Sequence, residues 1–183
     1  QSVIRVDGSK EMLDQHRPES PTQLWDLNLG LPEWPRQPTL LASSFVLHWL
    51  KDPKRRLKEW FDALAPGGWL AIAVPLNESF PQWYEAAAKG NVPCTALGLP
   101  SQKSLLTTLH KKHLRFQKVS RFTFKAPEVL SLLKPMIKVG AQASPHPPLS
   151  VGNWRQLKKF WPRNPLDQEV KLTWVIQLLL IQR

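Results

Sequence analysis

The strongest constraint in this sequence is a strand, a helix and a second strand compressed into residues 40–74. Residues 40–45 make an apolar run short enough for a buried parallel strand. Asp52 is then placed to cap a helix and Pro53 suits its first turn. Leu57, Trp60, Phe61 and Leu64 follow at i, i+3, i+4 and i+7, which puts all four on one face. Ala65-Pro66-Gly67-Gly68 ends that helix, and residues 69–74 are a second unbroken apolar run. Parallel strands cannot be joined by a tight turn, and a helix is the usual crossover between them. The pattern predicts an α/β fold.

The flanking segments continue the alternation. Val3, Ile4 and Val6 make a short strand that stops at Asp7-Gly8, after which Ser9 caps a helix carrying Met12 and Leu13. Residues 22–25 give a weaker strand ending at Asp26, and a Pro-rich loop follows to residue 38. Beyond Pro75, helices are predicted over 82–89, from Ser101 with Leu105, Leu106 and Leu109 inward, over 127–139 and over 154–161. Residues 121–125, which include Phe122 and Phe124, alternate and predict a half-buried strand. Residues 171–181 predict a long final strand able to pair antiparallel with it at a sheet edge.

Composition narrows the class. A chain of 183 residues with 42% hydrophobic and 21% charged residues can bury one core. Residues 1–183 are therefore expected to form a single domain, with 76–114 and 135–168 as cap or substrate segments. Twenty-five Lys and Arg against 14 Asp and Glu give +11, which favours an acidic partner. The single cysteine, Cys94, excludes an internal disulfide framework and a Cys-rich zinc module, and points to a reducing, cytoplasmic compartment. No apolar run approaches the ~20 residues of a membrane-spanning helix, and no membrane partner is expected. His110 and His113 lack a third ligand nearby, so no metal is expected either.

Arg5-Val6-Asp7-Gly8-Ser9-Lys10-Glu11-Met12-Leu13 resembles the second strand and following turn of the class I S-adenosylmethionine-dependent methyltransferases. In dinucleotide-type folds an acidic residue at the carboxyl end of that strand accepts hydrogen bonds from the ribose hydroxyls. Further segments resemble the same family in order. Asp26-Leu27 stands at the end of its third strand, and Leu41-Ala42-Ser43-Ser44-Phe45-Val46-Leu47-His48-Trp49 is similar to the fourth strand and its exit. Leu64-Ala65-Pro66-Gly67-Gly68-Trp69-Leu70 is similar to the turn into the fifth. Ser79-Phe80-Pro81, the Lys138-Val139-Gly140-Ala141 ending and Leu172-Thr173-Trp174 together resemble the malonyl-acyl-carrier-protein O-methyltransferases of biotin synthesis. Residues 44–49 are also similar to methyltransferase-like assembly proteins of mitochondrial complex I. The resemblance implies a Rossmann-like sheet, mostly parallel with an antiparallel C-terminal strand, and S-adenosyl-L-methionine as cofactor. It implies a cofactor site at Asp7, Gly8, Met12, Asp26, Leu27, Ser43 and Ser44, with Asp7 on the ribose and Asp26 on the adenine amine.

One departure qualifies the resemblance. The family's first strand and its Gly-rich turn have no counterpart here, in keeping with only 8 glycines against 18 prolines. In the family's order that strand lies between the second and the fourth, so residues 3–6 and 40–45 are expected to be parallel, one strand apart and not hydrogen-bonded together. Interior strand edges need partners. An N-terminal part of roughly 40 to 60 residues, one strand-helix unit plus a lid, is therefore expected to be missing from a chain that opens at Gln1.

Methyl transfer from a sulfonium is an in-line displacement, so the protein chiefly positions two reactants and excludes water. The implied acceptor is the free carboxylate of a malonyl thioester on acyl carrier protein, which a cation would orient. Lys134, Lys138 and Arg155 fall in the cap segments, and His48 at the fourth strand's exit could orient a carboxylate or pack beside the cofactor's methionine. His48, Lys138 and Arg155 are the catalytic candidates, and Trp83 and Tyr84 are candidates to line an acyl channel. Lys111, Lys112, Arg115, Lys158, Lys159 and Arg163 would steer the acidic carrier. Interleaved with Trp154, Phe160 and Trp161, cations would also suit nucleic acid, the less favoured partner. A non-catalytic assembly or binding protein that keeps the fold is the other alternative.

Overall fold

A computed structural model describes residues 3–138 and 147–183, with 137 and 138 as backbone alone. The order of elements is β1 (Arg5–Asp7), α1 (Lys10–Leu13), β2 (Thr22–Leu24), β3 (Leu40–Ser44), α2 (Pro53–Ala63), β4 (Trp69–Pro75), α3 (Pro81–Lys89), α4 (Gln102–Leu106), β5 (Leu114–Ala126), α5 (Val129–Lys138), α6 (Val151–Phe160) and β6 (Val170–Gln182). Single 3-10 turns form at Leu27–Leu29, Leu47–Trp49 and Lys111–His113.

The central crossover forms as its local signals dictate. β3 and β4 pair in parallel, Leu40 beside Trp69 and Ser44 beside Ala73. Between them Asp52 Oδ1 caps α2 by accepting the Arg55 N–H at 3.1 Å. Leu57, Trp60 and Leu64 are buried, as their spacing requires. The turn into β4 needs both its glycines. Gly67 holds a φ of 76°, and a Cβ on Gly68 would come within 2.8 Å of the Ala65 carbonyl oxygen.

β1 and β2 form a separate parallel pair, with Asp7 beside Leu24. Among the described residues β1 pairs with β2 alone, and β3 stands at one end of the four-stranded order β3-β4-β6-β5. Among the described residues β1 and β3 are therefore not hydrogen-bonded to each other. β6 is antiparallel to β4: Gly67 and Gly68 bond Arg183, whereas Leu76 N–H reaches the Val175 carbonyl at 2.8 Å. β5 is antiparallel to β6 by the same logic, since His113 meets the Gln182 carbonyl while the Thr123 and Thr173 hydroxyls meet at 3.1 Å. The fold is α/β, with parallel pairs and an antiparallel C-terminal strand.

The chain divides into two compact units, one of residues 1–74, 103–117 and 178–183, the other of 75–102 and 118–177. In the first, Leu47, Leu57, Leu64, Leu70, Leu105 and Ile181 are fully buried. In the second, Phe80, Ala86, Leu157, Trp161, Val170 and Leu172 form the core. Aromatic rings knit that core, with Phe80 edge-on to Trp174 at 4.5 Å and Trp83 against Trp161 at 5.9 Å. Ser79 is buried there and spans a gap in the strand pairing: its Oγ accepts the Val175 N–H at 2.9 Å and donates to the Val175 carbonyl at 3.1 Å. Gln82 does the same one step on, accepting from Thr173 N–H and donating to Thr173 Oγ1.

Two burial expectations fail. β3 alternates exposed and half-buried residues instead of being buried throughout, because a parallel strand is buried only where both its faces are covered. Phe122 and Phe124 are 47% and 58% exposed on β5, which runs for 13 residues at the end of the strand order. Periodicity names a face of a strand but not what covers it. No described helix is long and apolar enough to cross a membrane. The stretch 139–141 lies outside the described residues.

Candidate functional site

β1 and β2 end side by side, and each leads to a carboxylate. Asp7 is the last residue of β1, and Asp26 stands two positions beyond β2. Asp7 Oδ1 accepts the Ser9 N–H at 2.9 Å, and Ser9 Oγ in turn caps α1 at Met12. Trp25 N–H donates to the Asp7 carbonyl at 2.9 Å, which carries the pairing one residue past the strand. Asp26 Oδ1 accepts from the Asn28 backbone at 2.8 Å and from its side-chain amide at 3.0 Å. On both residues Oδ2 has no hydrogen bond among the described residues, and neither carboxylate is buried.

Two open carboxylate oxygens at adjacent strand ends form an acceptor set for neighbouring hydroxyl and amine donors. That chemistry fits the adenosine part of S-adenosylmethionine, ribose at Asp7 and the purine amine at Asp26. The other expected contacts are less specific. Met12 and Leu27 are half-buried, and a Cβ on Gly8 would make only an ordinary contact with the Trp25 carbonyl at 3.7 Å. Packing therefore does not demand glycine at position 8.

Asn28, which the sequence did not single out, ties this turn to the exit of β3. Its Oδ1 accepts the Lys51 N–H at 3.0 Å, and its carbonyl accepts from Arg56 Nη2. An Asp followed two residues later by Asn is a turn signature that could have flagged it. The contact with Lys51, 23 residues on, carries no such signal.

At that exit the backbone bends sharply. Phe45 adopts a left-handed φ of 58°, a conformation that costs a non-glycine residue about 1 to 3 kcal/mol. Its N–H is held by the Ala73 carbonyl at 2.9 Å. Ser43 Oγ and His48 Nδ1 on either side are buried without a hydrogen-bond partner among the described residues. The His48 ring lies 5.0 Å from the Trp49 ring and edge-on to Phe45 at 6.3 Å. Burial lowers its pKa to about 4, so the imidazole is neutral at neutral pH. Ser43 and Ser44 also border an apolar cavity of about 410 Å³ with Ala42, Ala71, Ala73 and Leu180. Neither Asp7 nor Asp26 borders it.

The cationic candidates separate by employment. Arg163 donates to the Pro127 and Gln168 carbonyls at 3.2 and 2.8 Å, and Arg115 to Gln182 Oε1 at 3.0 Å, so both already hold backbone or side chains in place. Lys111, Lys112, Lys134, Arg155 and Lys159 are exposed and Lys158 half-buried. Lys138 is the last residue of α5, and its side chain lies outside the described residues. Trp83 belongs to the aromatic core of its unit, and Tyr84 is 39% exposed on the same helix.

The α/β architecture is shared with solved methyltransferases, and the first part of the chain matches a methyltransferase family. A family described as a methyltransferase domain matches residues 1–72. The trans-aconitate 2-methyltransferase of Methylobacterium radiotolerans is 36% identical over 104 residues, 54% of this chain and 39% of that protein. The enzyme of the same name from Azoarcus sp. is 38% identical over 81 residues, 43% of this chain and 32% of that protein. The chain thus spans about a third of the length of these curated relatives. Among solved structures, a candidate methyltransferase from Bacillus halodurans C-125 matches with a TM-score of 0.64 at 12% identity, over 100% of this chain and 83% of that one. The YcgJ protein of Bacillus subtilis matches at 0.58 and 13% identity, over 98% and 82%. Likeness at such identity establishes the fold. The narrower resemblance to the biotin-synthesis enzymes finds no support in these matches.

Proposed function

We propose that the protein is an S-adenosylmethionine-dependent O-methyltransferase that esterifies a carboxylate, and that its acceptor is a small polycarboxylic acid of the trans-aconitate type. The observation that carries this reading is the pair of open carboxylates, Asp7 and Asp26, at the ends of the parallel strands β1 and β2. The cofactor, when bound, supplies a methyl group made electrophilic by its sulfonium. A carboxylate is already ionised at neutral pH, so this chain's own residues need only bind, orient and exclude water. Asp7 and Asp26 bind the nucleoside, and Ser43 and Ser44 line the crevice at the carboxyl end of β3, where open α/β sheets receive ligands. The names of the matched relatives support the acid as acceptor. The free thiol of Cys94 suits a reducing, cytoplasmic setting.

The test is incubation with methyl-labelled S-adenosylmethionine and trans-aconitate, followed by mass spectrometry of the acid. A labelled monomethyl ester is expected. Labelled product on no carboxylic acid, with the protein recovered folded, would overturn the proposal.

One observation favours a second acceptor. The 42 residues between Glu85 and Glu128 hold eight Lys or Arg and no Asp or Glu. Such a run supports an acidic macromolecular partner, and a malonyl thioester on acyl carrier protein offers the same free carboxylate. Faster turnover of that thioester than of trans-aconitate, with an on-rate that falls as salt rises, would put it in place of the small acid.

A further inference from the structure

His48 is a polar side chain that the described fold does not employ. Its Nδ1 is closed off from solvent and has no hydrogen-bond partner among the described residues. A buried N–H without an acceptor is rarer and costlier than a buried lone pair, so the proton belongs on the other ring nitrogen, Nε2. The ring lies tilted against Trp49 and edge-on to Phe45. Burial disfavours the charged form, which leaves a neutral donor. Five residues earlier in the same segment, Ser43 Oγ is a second buried polar atom without a partner. Phe45, between them, holds the left-handed backbone that bends the chain. Strained backbone together with unpaired polar atoms is the usual mark of a place where structure has been kept for a ligand.

We propose that His48 is a positioning residue for the reaction, its uncharged Nε2–H donating a hydrogen bond to the non-attacking oxygen of the acceptor carboxylate at the exit of β3. The proposal rests on the carboxylate O-methyltransferase reading. The attacking oxygen forms its bond to carbon as the methyl–sulfur bond breaks, and the electron pair of that bond leaves on sulfur as a neutral thioether. One negative and one positive charge cancel, no proton moves, and His48 keeps its own throughout. Neutrality is what the role requires. An imidazolium would withdraw charge from the nucleophile and repel the neighbouring sulfonium, whereas a neutral donor fixes the carboxylate plane.

The experiment uses the whole chain and two amide variants that place a donor at different ring positions. His48→Gln sets its amide nitrogen near the place of Nε2, and His48→Asn near that of Nδ1. The Michaelis constant for trans-aconitate is expected to stay near the wild-type value in His48→Gln. In His48→Asn it should rise about tenfold, the loss of one hydrogen bond near 1.4 kcal/mol. Affinity for S-adenosylhomocysteine should be unchanged in both. Independently of turnover, nitrogen-15 imidazole spectra of the wild type at pH 7 should show the Nε2–H tautomer, and trans-aconitate should shift that proton downfield. An Nδ1–H tautomer, or equal Michaelis constants in the two variants, overturns the assignment. Absence of ester from wild-type protein would strike the functional reading instead, and the tautomer and the trans-aconitate shift would still decide the place of His48.

Discussion

At the scale of single residues the account turns on which polar atoms the fold satisfies and which it leaves open. His48 gives the clearest consequence for stability. Its folded pKa of about 4 lies below the ordinary 6.5, so between those values the unfolded chain binds a proton that the folded chain refuses. Its contribution is therefore constant above pH 6.5 and is lost as pH falls toward 4, at up to about 1.4 kcal/mol per pH unit. Burial is the cause of the shift, and the rings packed on His48, Phe45 and Trp49, are uncharged. Urea unfolding of wild type and His48→Gln should show the wild type losing ground to the variant between pH 6.5 and pH 4.5. A difference that stays constant across that window would show the imidazole to be solvated. The strand-end positions of Asp7 and Asp26 were legible in the sequence because a short strand stopping at an acid is a local pattern. The unpartnered, buried Nδ1 of His48 was not, because burial of one nitrogen depends on tertiary packing and not on a local pattern.

Elements were legible wherever their causes lie within a few residues. The Asp52 cap, the i, i+3, i+4, i+7 face of α2 and the two-glycine stop before β4 all act locally, and the crossover formed as they require. β5 was read at less than half its length, and its phenylalanines were assigned to a half-buried face that is exposed. Alternation cannot reveal which strand ends the sheet. Least legible were the side chains that stand in for strand pairing, since Ser79 and Val175 are 96 residues apart. Ser79→Ala would leave the buried Val175 N–H without that partner, while the Val175 carbonyl keeps the Leu76 N–H, at a cost of about 1 to 3 kcal/mol. The urea midpoint should fall accordingly while the denaturant dependence stays unchanged. A loss below about 0.5 kcal/mol, the ordinary surface effect, would mean that β6 re-pairs without the serine.

At the scale of the whole molecule, sequence and fold agree on the methyltransferase architecture, while the carboxylate acceptor remains the proposal that the matched relatives' names support. The malonyl carrier came from a resemblance spread over residues 79–174, whereas the matched relatives are named for trans-aconitate. The methyltransferase-domain family matches residues 1–72, the stretch that holds Asp7 and Asp26. The central claim is accordingly that Asp7 and Asp26 present open oxygens to the adenosine part of the cofactor. Calorimetric titration of S-adenosylhomocysteine against wild type and Asp7→Asn tests it most directly, because asparagine can still accept the Ser9 N–H through Oδ1 while turning the open oxygen into a donor. The account predicts a measurable affinity for the wild type that weakens by about 1 to 3 kcal/mol in the variant, roughly 5- to 150-fold. Equal affinity in the two proteins, with the turn at Ser9 intact, would contradict it.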